Sequence, residues 1–319
     1  MFPIDEKQVK VLVEAKEKQV NAIVEAVVDL CKCAQTQIKL DDLVDDYRRF
    51  LENEHPTRVK SYYDLLNRQP ASARAEAVAF YFLGTYSDNI QVEEDLKKGG
   101  VDFRCQKGNA EFVAEVTCLD AKSVARKSGL KNEPPRNRSG GWYSGITNKL
   151  FDKVDEKTNQ MSGYDCPAIL VMTCEHPLAD MLLDIIDAEF LLTGDQKITV
   201  VPFSNSTENL DSATDLENSV FFLYNQENGK LESCRRSISA ILLFSIFGAS
   251  VFVIGILPSD STHKFPIKFL PSVPFVRLKK WPPENGIFEI EWISYKTDEH
   301  VIEEPELHRF WYDEELRNI

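Results

Sequence analysis

The sequence predicts an α/β (α+β) fold, a central mixed β-sheet flanked by helices and preceded by a helical N-terminal module. Three observations lead there. A hairpin pattern occupies residues 99–119, where two β-prone runs flank a Lys-Gly-Asn turn. A continuous apolar run, PAILVMT at 167–173, suits a strand buried on both faces. Between and before these, apolar residues recur at helical spacing over 5–35, 71–83 and 144–161.

In chain order, residues 5–35 carry Val9, Leu12, Val13, Val20, Ile23, Val24, Val27 and Val28 on one stripe, which predicts a long amphipathic helix. Further helices are expected from about Asp41 and from about Arg58. The acids Asp41 and Asp42 fall at a helix start, where capping and the macrodipole favour carboxylates. Residues 1–68 thus read as a helical module suited to substrate choice or self-association, with an α/β domain and C-terminal extension over 69–319.

The segment 71–83, ASARAEAVAFYFL, is a helix rich in alanine whose only acid is Glu76. A strand is expected near 90–94, followed by GGVDFRC at 99–105, the turn at 107–109 and EFVAEVTCL at 111–119. Alternation puts Phe112, Ala114, Val116 and Cys118 on one face of the last strand, and Val113, Glu115, Thr117 and Leu119 on the other. Asp102 can join Glu115 from the neighbouring strand. Two carboxylates held this close need a cation between them, and hard oxygen ligands suit Mg²⁺ or Mn²⁺. Such an ion could activate water and stabilise charge developing on a phosphodiester.

These residues resemble the PD-(D/E)XK nuclease superfamily, the restriction-endonuclease-like fold. That family's pattern is a helix Glu, an Asp at a strand start and Glu-x-Lys on the next strand; the matching positions are Glu76, Val101-Asp102-Phe103 and Glu115-Val116-Thr117. The resemblance implies Asp102 and Glu115 as metal ligands, Glu76 completing the site, and nucleic acid, DNA before RNA, as partner. A homodimer is implied if both strands of a duplex are cut. Thr117 departs from the pattern, since it stands where the family has its lysine and carries no charge. Either that charge comes from elsewhere or catalysis has been lost, leaving a binding module on the same fold.

Residues 121–145 differ sharply from the rest, with Lys122, Arg126, Lys127, Lys131, Arg136 and Arg138 against one acid, Glu133, in a chain of net charge −14. Trp142 and Tyr143 close this Pro- and Gly-containing loop. Basic charge beside rings that can stack is a nucleic-acid-binding composition. In the helix that follows, Ile146, Leu150 and Val154 point inward, and Lys149 or Lys153 is expected to supply the charge missing at Thr117. Helix, three strands, helix, strand is the order of the resembled family's core, with PAILVMT as its fourth strand. A helix near 178–192 and a strand over 198–203 are expected next, then a polar loop over 204–219.

The uncharged run 237–257 is long enough to span a membrane. Gly248-Ala249-Ser250 splits it into two β-branched runs of strand length, which favours two core strands, or a strand and a short helix, over a membrane anchor. No secretory pattern opens the sequence, and seven cysteines without a Cys-x-x-Cys pair read as reduced thiols, so a cytoplasmic protein is expected. The acidic balance argues against nonspecific coating of nucleic acid. The five histidines show no metal-ligand spacing, and no phosphate-binding glycine loop is present.

Overall fold

The computed structural model describes residues 40–93, 100–119, 143–174, 185–194, 216, 219–225, 227, 230–247, 250–282, 288–295, 300–302 and 308–310. The expected helix over 5–35, the basic loop, most of the polar loop and the expected strand at 198–203 lie outside them. Helix α1 covers residues 40–54, followed by α2 (Val59–Arg68) and α3 (Pro70–Tyr86). Proline at the first position of α3 sits where a missing N–H costs nothing. Strands β1 (Asn89–Val92), β2 (Phe103–Lys107) and β3 (Ala110–Leu119) come next, then helix α4 (Tyr143–Met161) and β4 (Ala168–Cys174). Helix α5 is Ile185–Thr193; residues 178–184 of the expected helix lie outside the described part.

Pairing of β2 with β3 is antiparallel and ends at Lys107↔Ala110, so Gly108 and Asn109 form the two-residue loop the Gly-Asn signal predicts. Gly108 takes φ +59°, a left-handed conformation natural to glycine. The pair β3–β4 is parallel, from Val113↔Ala168 to Leu119↔Cys174. Parallel neighbours need a long crossover, which here contains α4.

Residues 237–257 form two antiparallel core strands, β7 (Ala240–Phe247) and β8 (Ser250–Ile256), with β7 parallel to β4. Among the described residues no helix is long and apolar enough to cross a membrane. The short ribbon of β5 (Phe222–Asn225) and β6 (Lys230–Ser233) precedes them. After them β9 (Phe275–Leu278), β10 (Ile290–Ser294) and β11 (His300–Ile302) extend the sheet, and β12 (His308–Phe310) pairs back onto β8. Among the described residues the mixed sheet has ten strands, in the order β1-β2-β3-β4-β7-β8-β9-β10-β11 with β12 beside β8.

Two cores follow from the strand alternation. On one face Phe112, Ala114, Val116, Ile169, Val171, Leu242 and Phe244 meet α1–α3 through Leu43, Tyr47, Tyr62, Val78 and Phe82. On the other, Val113, Leu119, Leu170, Met172, Ile241 and Leu243 meet Leu150, Val154 and Met161 of α4 and Leu191 of α5. Every residue of β4 is buried, as a strand covered on both faces requires. Helices α1 and α2, which the sequence places in a separate module, contribute to the same core as α3 and the sheet.

One close approach fixes where β9 lies against β8. Gly255 pairs with Phe275, and a Cβ at Gly255 would fall 2.2 Å from the Phe275 ring. Gly255→Ala is therefore expected to cost about 1–3 kcal/mol through overpacking. Urea unfolding of Gly255→Ala, alone and with Phe275→Leu, checks this; wild-type stability of the single variant would show that the ring yields freely.

Candidate active site

Asp102 stands one residue before β2, and β3 carries Glu115 at its centre. Continuing the register one step beyond Phe103↔Ala114 brings Asp102 opposite Glu115. The Asp102 carboxylate there acts as a ladder acceptor: its Oδ2 takes the Val116 N–H at 2.7 Å. A carboxylate bonded to a backbone amide in this way is held in one orientation.

Glu115 and Thr117 lie on the face covered by α4, and both are buried. The cation beside them is Lys157, whose Nζ lies 2.6 Å from Glu115 Oε1, with side chains 16% and 3% exposed. Burial alone would lower the Lys157 pKa; the Glu115 carboxylate, with Asp102 behind it, outweighs this and holds it above the ordinary value. Lys157 therefore remains an ammonium beside the two acids.

The vacancy at Thr117 is thus flanked by a lysine from α4, though a different one from those singled out by the sequence. Lys153 turns to Glu156, with Nζ 2.7 Å from Oε2 on a half-exposed face. Lys149 lies on α4, and its side chain is outside the described residues. The signal for Lys157 was its phase. Leu150, Val154 and Met161 form the buried row of α4, and Lys157 falls in that row between Val154 and Met161. A lysine in an apolar row reaches a buried partner or goes unpaired.

Glu76 is half-buried on α3, which packs on the other face of the sheet. Tyr47 of α1 feels the charges of both Glu76 and Asp102. This buried phenol packs its ring against Tyr62, Phe80 and Phe103 at 5.0, 4.9 and 6.1 Å. Burial, then the charges of Glu76 and Asp102, push its pKa well above the ordinary tyrosine value. Glu76 has the same effect on neighbouring Tyr62, second to burial. The structure therefore brings Asp102, Glu115 and Lys157 together, while Glu76 stands on a helix that packs against the opposite face of the sheet.

Among the described residues, no group of three or more His, Cys, Asp or Glu side chains could hold a metal ion. A Mg²⁺ site needs no such cage, because this ion keeps several waters and commonly takes one or two carboxylates plus substrate phosphate oxygens. Two hard carboxylates opposed across a hairpin fit that donor set. The basic-loop residues Lys122, Arg126, Lys127, Lys131, Arg136, Arg138 and Trp142 lie outside the described residues. Compared with known proteins, the chain matches no family model, no curated protein and no solved structure.

Proposed function

We propose that the chain is a metal-dependent, nuclease-like protein that hydrolyses phosphodiester bonds in nucleic acid, on a PD-(D/E)XK-type core formed by α3, β1–β3, α4 and β4. The observation that carries this reading is the convergence of Asp102, Glu115 and Lys157 across one hairpin and the helix over it. The succession of helix, three strands, helix and strand supports it.

Asp102 and Glu115 hold Mg²⁺ or Mn²⁺. The ion supplies Lewis-acid stabilisation of the phosphoryl oxygens and makes water easier to deprotonate. Lys157 takes over the family lysine's part, holding a proton at Nζ where negative charge gathers in the transition state. Glu76 acts from the far side, and Thr117 fills space beside Glu115. DNA is the first substrate to test, with RNA beside it.

A second reading is a catalytically retired binding module. The close Lys157–Glu115 pair favours it, because the ammonium already offsets the charge of the buried acid. Calorimetry with Mg²⁺ and Mn²⁺ on wild type and Asp102→Ala, beside cleavage assays on single-stranded and duplex DNA and RNA, separates the two. Metal binding lost with Asp102, together with metal-dependent cutting, is the expected result. A wild type that binds neither ion and cuts no substrate would leave only the binding module.

A further inference from the structure

Hydrogen bonds from three separate segments hold Asp102 and the residue before it. Its Oδ2 accepts the Val116 N–H at 2.7 Å, and its backbone carbonyl accepts the Glu93 N–H at 2.9 Å. The residue before it, Val101, donates its N–H to the Tyr164 hydroxyl at 3.2 Å. Glu93 is gripped in turn by Arg104, with Nε to Oε2 at 3.0 Å and Nη2 to Oε1 at 2.9 Å. The same guanidinium meets Glu111 at 2.9 Å and lies 5.8 Å from the centre of the Tyr164 ring. The contacts close into a ring: Arg104 to Glu93, Glu93 to Asp102, Val101 to Tyr164, and Tyr164 back to Arg104.

The local chain explains why such a ring is needed. Gly100 lies two residues before Asp102 at φ +135°, a conformation that L side chains rarely adopt. A glycine there imposes little direction on the residues that follow. The orientation of 101–102 must then come from outside, and Tyr164 and Glu93 grip the backbone on either side of the Asp102 Cα.

We propose that Arg104 and Tyr164 are positioning residues for Asp102, forming a clamp that aims its carboxylate at the cation site shared with Glu115. The inference rests on the reading of Asp102 and Glu115 as metal ligands. Arg104 acts through its fork, which grips both oxygens of Glu93 as a lysine cannot. Tyr164 acts through its hydroxyl, and its ring supports the guanidinium from beneath. Tyr164 lies between α4 and β4, in the turn that follows the helix carrying Lys157.

The test is calorimetry with Mg²⁺ and Mn²⁺ on the full-length chain as wild type, Tyr164→Phe, Arg104→Lys and the double variant. Arg277→Lys serves as control, because Arg277 makes a comparable pair with Glu291 at 2.8 Å on β9 and β10, away from the site. Partners that orient metal ligands are worth about 10- to 100-fold in affinity. Each single variant is expected to bind Mg²⁺ weaker by about that factor while melting as wild type does. The double variant should lose less than the product of the two, since both act through one ring. The Arg277→Lys control should bind as wild type. Wild-type affinity in Tyr164→Phe overturns the clamp, and that variant decides alone if Arg104→Lys fails to fold. Loss of affinity in Arg277→Lys equal to that in the clamp variants also overturns it. A wild type that binds neither ion overturns the metal reading itself, and the clamp with it.

Discussion

Lys157→Met is expected to abolish cutting while leaving Mg²⁺ binding in place. Removing one positioned donor that stabilises transition-state charge costs typically ~10²–10³-fold in rate, and the loss should fall in that range. Metal affinity should hold or rise, because removing the ammonium leaves Asp102 and Glu115 with a charge that a divalent ion balances. Stability should fall in the metal-free protein. Lys157 and Glu115 are 16% and 3% exposed, and stripping one partner from a buried pair costs about 3–5 kcal/mol through the charge left behind. Glu115→Gln added to Lys157→Met should recover most of that loss, since the unpaired charge of Glu115 is then gone. Mg²⁺ should raise the melting temperature of Lys157→Met more than that of wild type, as a ligand stabilises the state it binds in proportion to its affinity. Melting curves with and without Mg²⁺, and single-turnover cleavage, read all of this. Wild-type cutting by Lys157→Met would reduce Lys157 to a structural counter-ion.

The hairpin and the strands of 237–257 were legible because their signals are local. A Gly-Asn loop between alternating runs determines both the turn and the register, and the register alone opposes Asp102 to Glu115. The break at 248–250 separated β7 from β8 in the same way. Lys157 was less legible for a physical reason. The vacancy at Thr117 directed attention to lysines on the polar flank of α4, whereas the lysine beside Glu115 stands among apolar residues, where its stem can be buried and its charge offset. Tyr47 and Tyr164 were illegible because their roles depend on contacts between distant segments. Tyr164 reaches back 63 residues to Val101, and Tyr47 gains its meaning only when α1 packs over Phe103. Glu76 was legible as an acid on an apolar helix, but which face of the sheet that helix covers is a tertiary fact.

Alkaline unfolding should be steep, and two tyrosines should account for much of it. The Tyr47 and Tyr62 phenols are buried; burial first, then nearby carboxylates led by Glu76, raise their pKa values above the ordinary 10.0. Tyr62 also donates its hydroxyl to the Ala73 carbonyl at 3.0 Å, a bond its anion cannot make. Burial likewise pushes the Cys105 thiol up to about 12, and Lys157 is held above its ordinary 10.5. All four shifts are upward, so the folded chain keeps protons that the unfolded chain releases. The stability they contribute is complete below the unfolded values and is lost as pH rises through the folded ones. Each group removes about 1.4 kcal/mol per pH unit once it ionises in the unfolded state alone. Above about pH 10 the tyrosine pair should therefore make stability fall as pH rises. Urea unfolding across that range should give a steep decline for wild type and a shallower one for Tyr47→Phe/Tyr62→Phe; parallel curves would show that neither phenol is held protonated. A Tyr47 phenolate would add negative charge near Glu76 and Asp102, which ties alkaline stability to the site.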